Sequence, residues 1–163
     1  MGIITKFIGN KLVKAAIKSG HIPAEIPSNE KERLEDLKRL KLVEQNINKD
    51  KRYSSFPKLA ATLTGCSQSA IHILDEDTQH CKVSYGKDLP TEIMTKETPR
   101  QLAICSHVLN NNSKPLVISD VSIDERTIDY FYYKKSNLII TFINQKFSTN
   151  SLRLFKTKKI GNF

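Results

Sequence analysis

The side chains with intrinsic reactivity are few: Cys66, Cys81 and Cys105, and four histidines. Cys105 and His107 stand two apart, a spacing that invites a nucleophile with its base, or a chromophore attachment point. On a helix, residues two apart diverge by about 200°, so these two cannot face each other. A nucleophilic pair needs mutual hydrogen-bond reach. The expectation is therefore a buried, small, apolar-like cysteine. His80 and Cys81 adjoin in an alternating segment, which sends them to opposite faces and spoils them as a metal pair. His72 and His80 could share a face across a hairpin, but they have no carboxylate or thiolate support. The run Asp75-Glu76-Asp77 lacks the spaced oxygens, central glycine and later Glu of a calcium loop, and reads as a solvated turn. Arg100 sits where a helix is expected to begin, where the helix dipole disfavours a cation. A carboxylate partner or an anionic ligand would rationalise it, and ordinary structural pairing is the simpler of the two. No cofactor or metal is expected.

The cysteines lie 15 and 24 residues apart with no CxxC pair and an odd total, which indicates neither a disulfide framework nor a zinc knuckle. A reducing, cytoplasmic setting is the simpler reading. The formal net charge of +9 looks like a nucleic-acid signal until it is located. Residues 1–20 carry four lysines and no acid, and residues 134–163 carry seven Lys or Arg and no acid. Taking these from the 26 basic residues leaves 15 against 17 acidic ones, a central net charge of −2. The basicity belongs to the ends, so no specific nucleic acid is expected as a partner.

At 163 residues the chain suits one domain of ordinary size. Residues 3–18 form an imperfect amphipathic helix: Ile4, Ile8, Leu12 and Ala15 lie on one side and Lys11, Lys14 and Lys18 on another. Packing on its own domain or on a neighbouring subunit is the first reading, and membrane contact through residues 3–18 the lesser one. Lysines interrupt every apolar run, so a signal peptide or membrane span is not expected. Pro23 and Pro27 mark an extended linker. Asn29 with Glu32 suggests a capping box, opening a helix through Leu34, Leu37 and Leu40 to about Val43, with Glu35 placed to pair with Arg39. A second helix is expected from Ser55 to Thr64, with Phe56, Leu59, Ala60 and Leu63 as the stripe that covers a sheet and Gly65 as its stop.

Ile71 and Ile73 alternate with Ala70, His72 and Leu74 in one strand. A second strand places Cys81, Val83 and Tyr85 on one face, and together the two read as an antiparallel hairpin. Thr98-Pro99 reads as the cap of a helix carrying Leu102, Cys105, Val108 and Leu109, which dissolves into Asn110-Asn111-Asn112-Ser113. Leu116 to Ser119 is a short apolar strand followed by Asp120. Leu138 to Ile143 is β-prone, and Leu152 to Phe155 reads as a short strand. The organisation is an N-terminal basic helix and linker (1–27), a domain proper (28–133) and a basic C-terminal segment (134–163) that either completes the sheet or stands outside it.

Three stretches, in order, carry a resemblance. NEKERLEDLKRLKLVEQ, LDEDTQHCKVSYG and ETPRQLAICSHVLNNNSKPLVISDVSIDER look like the opening helix, the hairpin and the Thr-Pro-Arg to Asp-Glu-Arg stretch of bacterial sensory GAF domains. The likeness runs over about 100 residues, from Ser28 to Thr127. It implies an α+β (α/β sandwich) fold with an antiparallel sheet flanked by helices, and a ligand held between one sheet face and the crossing helices. That places Tyr85, Arg100, Ile104, Cys105, Ser106 and Asp120 near a pocket. Tetrapyrrole-binding members of the family carry Cys followed at once by His, whereas Ser106 intervenes here. The C-terminus departs from the pattern: the family's final strands and long helix have no counterpart in wording, so those elements are expected to be missing or altered. The expected function is a sensory or regulatory module that binds a small molecule or mediates dimerisation, with a homodimer or a separate signalling protein as partner and no catalysis of its own. The alternatives are an enzyme similar to the small GAF proteins that reduce free methionine sulfoxide, and a basic tail that binds RNA or anionic membrane.

Overall fold

The computed structural model describes residues 3–45, 50–86, 97–110, 115–120, 123–127, 138–147 and 150–159. Helices α1 (Ile3–Lys18), α2 (Glu30–Arg39) and α3 (Lys51–Thr64) precede strands β1 (Gln68–Leu74), β2 (Thr78–Tyr85), β3 (Glu97–Pro99), β4 (Leu116–Ile118), β5 (Leu138–Phe147) and β6 (Asn150–Lys159). The six strands form one sheet in the order β3-β2-β1-β6-β5-β4, and every neighbouring pair is antiparallel. The expected α+β class is what the chain adopts. Its C-terminal strands are present: the β5–β6 hairpin, built from the acid-free segment, stands in the sheet between β1 and β4. Ala70, Phe155, Phe142 and Leu116 follow one another in register across four strands.

Each face of the sheet has its own core. Ile73 and Val83 pack with Leu37 of α2, supported by Leu34, Leu42, Val43 and Tyr53. On the other face Ala70 and Leu74 pack with Ile104, Cys105, Val108, Leu116 and Ile118, and Cys81 and Leu109 lie against them. Covered on both sides, β1 is buried at all seven positions. Strict alternation had placed Cys81 and Val83 together. A bulge corrects this: Ile71 pairs with Val83 but His72 pairs with Cys81, so Lys82 is the extra residue and the parity of β2 reverses there. The same reversal separates the histidines, because His72 shares a row with Cys81 and His80 with Ile73.

The helices also differ in detail from expectation. Asn29 makes no side-chain cap to α2, and the helix stops at Arg39, where Leu40 and Lys41 (φ 51°) turn the chain. Arg39 bonds Asp36, one turn back, in place of Glu35. α3 starts at Lys51, four residues early, with Pro57 inside it. Among its described side chains Pro57 and Ala61 are buried, while Phe56, Leu59 and Leu63 of the expected core stripe are exposed. Ser69 Oγ on β1 donates to the Pro57 carbonyl and ties the proline side of α3 to the sheet. Gly65 does stop the helix: with φ 64° it lets the Cys66 N–H reach the Ala61 carbonyl at 2.9 Å and its own N–H reach Thr62 at 3.4 Å.

The expected Thr98-Pro99 helix is absent. Thr98 is spent on pairing with Gln79 in the sheet, so Glu97–Pro99 is a strand and cannot cap a helix. Two 3-10 turns follow, Arg100–Leu102 and Ile104–Val108, divided by Ala103 in extended conformation (ψ 111°). The asparagine-rich break at 111–113 lies outside the described residues.

Candidate functional site

Arg100 is fixed where three elements meet. The β2–β3 pairing delivers it to the β1–β2 turn, where its N–H donates to the Asp77 carbonyl at 2.8 Å. Its Nη1 donates to Glu30 Oε1 at the start of α2, and lies 3.4 Å and 3.3 Å from the carbonyls of Asp75 and Glu76. Arg33, one turn along α2, grips the same carboxylate from Nε at 2.9 Å and Nη2 at 2.7 Å, and donates through Nη1 to the Leu74 carbonyl at 2.6 Å. Two buried guanidiniums thus share one carboxylate, and the outward carbonyls of the turn supply the remaining acceptors.

The charge balance follows from this geometry. Burial raises the Glu30 carboxyl pKa, but the hydrogen bonds and charges of Arg33 and Arg100 outweigh it and hold the group at about 2. A guanidinium offers N–H donors in a fixed plane and no acceptor, an arrangement suited to binding and orienting an oxyanion. One donor is left over: Arg100 Nη2 is buried and has no hydrogen-bond partner among the described residues. The arginine itself is only 5% exposed.

The six residues expected around a pocket do not gather in one place. Ser106 is joined to Arg100 through its hydroxyl, which donates to the Arg100 carbonyl at 2.9 Å. Ile104 and Cys105 are close in sequence but belong to the packed core of the second face, at 4% and 1% exposure. Tyr85 closes the far end of β2, seven residues from Thr78 and so roughly 20 Å from the Arg100 end of the strand. Asp120 follows β4 at the sheet's opposite edge, and its carbonyl accepts from the Asp124 N–H. Four strand spacings, roughly 19 Å, separate β4 from β2 and hence Asp120 from Tyr85.

Sequence reasoning passed over Glu30 and Arg33. The available signal was weak: an acid in the first turn of a helix is favoured by the dipole whatever else it does. It also missed a polar strap formed by the linker. His21 Nε2 donates to the Gln101 carbonyl at 2.7 Å, Asn110 Nδ2 donates to the Glu25 carbonyl at 2.8 Å, and the His107 ring bonds the Ile22 backbone. Burial, then the nearby Arg126 and His21, push the His107 pKa down, and the Asp124 carboxylate opposes them. The turn at Asp75 is less solvated than expected. Its Oδ1 accepts from the Asp77 and Thr78 N–H groups and its Oδ2 meets His80 Nε2 at 2.6 Å.

The cysteines are poorly placed for nucleophilic work. Burial pushes the Cys81 thiol up to about 11 from the ordinary 9.0, which lowers its thiolate fraction near neutrality by about 100-fold. Native protein treated with iodoacetamide at mildly alkaline pH is expected to alkylate Cys81 at least tens of times more slowly than the urea-unfolded chain, as peptide mass spectrometry would read. Equal rates in the two states would remove the argument. No group of three His, Cys, Asp or Glu among the described residues is arranged to hold a metal, and none of their helices is long and apolar enough to cross a membrane.

The fold defined by this helix-sheet-turn order is that of a GAF domain. The GAF domain/HD domain protein from Geobacter sulfurreducens matches it with a TM-score of 0.52 at 13% identity, over 67% of this chain and 74% of that one. The A. aeolicus nlh2 GAF domain in an inactive state matches over 80% of this chain and 82% of that one, at 14% identity and a TM-score of 0.49. No family model and no curated protein matches the sequence.

Proposed function

We propose that this chain is a non-catalytic regulatory module of GAF type, working in a reducing, cytoplasmic setting, that binds a small molecule carrying an oxyanion at Arg100. The observation that carries this reading is the Arg100 Nη2 donor, which is buried and without a partner among the described residues. A buried donor left unmade costs about 1–3 kcal/mol, and a ligand oxygen would recover that cost. Because Glu30, Arg33 and the β1–β2 turn share the site, occupancy would be felt at once by α2 and by the hairpin. The raised thiol of Cys81 supports a binding role over the sulfoxide-reducing alternative.

Thermal unfolding with inorganic phosphate, acetate, succinate and a nucleoside monophosphate tests it. At least one is expected to raise the midpoint of the native chain and to leave that of Arg100→Lys unmoved, since lysine keeps the charge but offers no second nitrogen. Stabilisation of both proteins alike by every anion would mean general salt effects and would defeat the proposal. So would the absence of any shift at millimolar ligand.

A further inference from the structure

The N-terminal arm, α1 and the linker that follows it, is held to the rest of the chain by polar bonds. Neither hydrophobic core takes a described residue from it, and no described side chain of α1 is buried. α1 lies on the Arg100–Leu102 turn, where a methyl group on Gly9 would come within 3.5 Å of Pro99 Cγ. Gly20, at φ 104°, turns the chain at the end of α1, and the His21 N–H reaches back to the Ala16 carbonyl at 3.0 Å. The linker then crosses the two 3-10 turns with Ile22 and Ile26 exposed by 54% and 64%. Three bonds hold it there: buried His21 to the Gln101 carbonyl, the His107 ring to the Ile22 backbone, and Asn110 to the Glu25 carbonyl. Pro27 is buried and its carbonyl accepts from the Glu30 N–H at 3.0 Å, so the arm ends on α2 and can pivot there.

Two of the three attachments are imidazoles, the side chain whose ordinary titration falls between pH 5 and 8. The charged groups that act on His107 are Arg126, His21 and Asp124. Asp124 is the one carboxylate among them, and Arg126 already grips it from Nε at 2.7 Å. A proton on His107 therefore enters a half-buried site beside a fixed cation, with the nearest carboxylate committed elsewhere. Lifting the linker takes the Ile22 backbone and the His21 ring away and admits water, which removes that cost. Burial first, then Arg126 and His21, hold His107 below its ordinary 6.5 while the linker is down. Closure is thus at full strength above pH 6.5 and weakens as pH falls below it. Glu30 gives up its own contribution only below pH 4.5, so the two acid responses are separate.

We propose that residues 3–27 form a proton-released strap, latched over the Arg100 turn by His21 and His107 near neutrality and let go in mild acid. The proposal deepens the oxyanion-binding reading and rests on it for its purpose, because the turn beneath the strap is the one that carries Arg100. The strap's attachments themselves do not depend on a ligand. Little apolar contact opposes release, and local opening of this kind falls to segments with few buried side chains.

The test is nuclear magnetic resonance of the full 15N-labelled chain at about pH 7.5 and about pH 5.5, with a neutral gadolinium chelate as solvent probe. Between Ser19 and Ile26 the amide order parameters are expected at about 0.85 at the higher pH and below about 0.6 at the lower. The Arg100 and Leu102 amide signals should then broaden more strongly with the chelate, while α2 and β1 keep their order. His107→Gln retains a side-chain N–H for the linker and takes up no proton, so its strap should stay ordered at both pH values. Arg126→Gln keeps both imidazoles and removes the neighbouring cation, so its strap should hold to lower pH than the native one. Arg100→Lys should release its strap as the native chain does, which separates failure here from failure of the oxyanion site. Equal order at the two pH values would overturn the proposal. So would acid release that is unchanged in both His107→Gln and Arg126→Gln, or a loss of order that spreads into α2 and β1.

Discussion

Glu30→Gln is expected to cost the fold about 3–5 kcal/mol, because it leaves Arg33 and Arg100 buried with no carboxylate between them. The amide keeps the size of the side chain and one acceptor oxygen, so the loss is one of charge and not of volume. Acid should do the same more gradually. The Glu30 carboxyl is lowered to about 2 from the ordinary 4.5, so its contribution is complete above pH 4.5 and is lost as pH falls towards 2. The shift corresponds to about 3 kcal/mol. Urea unfolding followed by circular dichroism at neutral pH and at several points below pH 4.5 measures both effects. The native chain should lose stability through that window, and the glutamine variant should lose less of it. Adding Arg100→Met to Glu30→Gln should recover part of the cost, since it removes the cation stranded by the first change. If the double variant is as unstable as the sum of the two single ones, the ion pair is not the unit that holds α2 to the hairpin.

That cluster also marks the limit of reading the chain as a line. Arg100 stood out because a cation at a helix start is unusual, and a carboxylate partner was the natural inference. Its partner lies 70 residues away in a helix whose first turn is acidic for ordinary reasons, so nothing local distinguished Glu30 from Glu32. The hairpin was legible because period-two alternation and an acidic turn are local properties. The bulge at Lys82 was not, since a parity change exists only relative to the partner strand. In α3 the periodicity showed that a helix forms but chose the wrong stripe. The small residues Pro57 and Ala61 allow a closer approach to the sheet than Phe56 and Leu59 would, and hydropathy alone ranks them the other way. The Thr98-Pro99 cap failed for a related reason: its threonine was claimed by a neighbour 19 residues earlier, Gln79, which turned a cap into an edge strand. The likeness of wording to GAF domains located α2 and the hairpin, whereas the helix it implied after Thr98-Pro99 is a strand followed by two 3-10 turns. It could not place a pocket, because residues such as Tyr85 and Asp120 are equivalent only if the strands between them are.

Gly86→Ala should be as damaging as Glu30→Gln, and comparison with Gly65 shows why a positive φ alone would not make it so. Both glycines have a left-handed φ, 64° at Gly65 and 108° at Gly86. A methyl group on Gly65 would meet nothing within 4 Å, so alanine there should cost about 1 kcal/mol from backbone conformation alone. A methyl group on Gly86 would stand 2.4 Å from the Ser67 carbonyl oxygen, 2.6 Å from Gln68 Cγ and 3.0 Å from Gln68 Cα. The Gln68 side chain could move, but the carbonyl and the Cα belong to the entry of β1. That strand is buried at every position and is paired on both edges by β2 and β6. Relief must therefore come from pulling Gly86 away, which strains the Ser69–Tyr85 pair at the open end of the hairpin. The expected cost is about 3 kcal/mol or more, adding the conformational strain to the displaced pairing. Urea denaturation of Gly65→Ala and Gly86→Ala side by side measures the difference. Near-equal losses would mean that the β1 entry yields, and that the centre of the sheet is softer than its pairing on both edges implies.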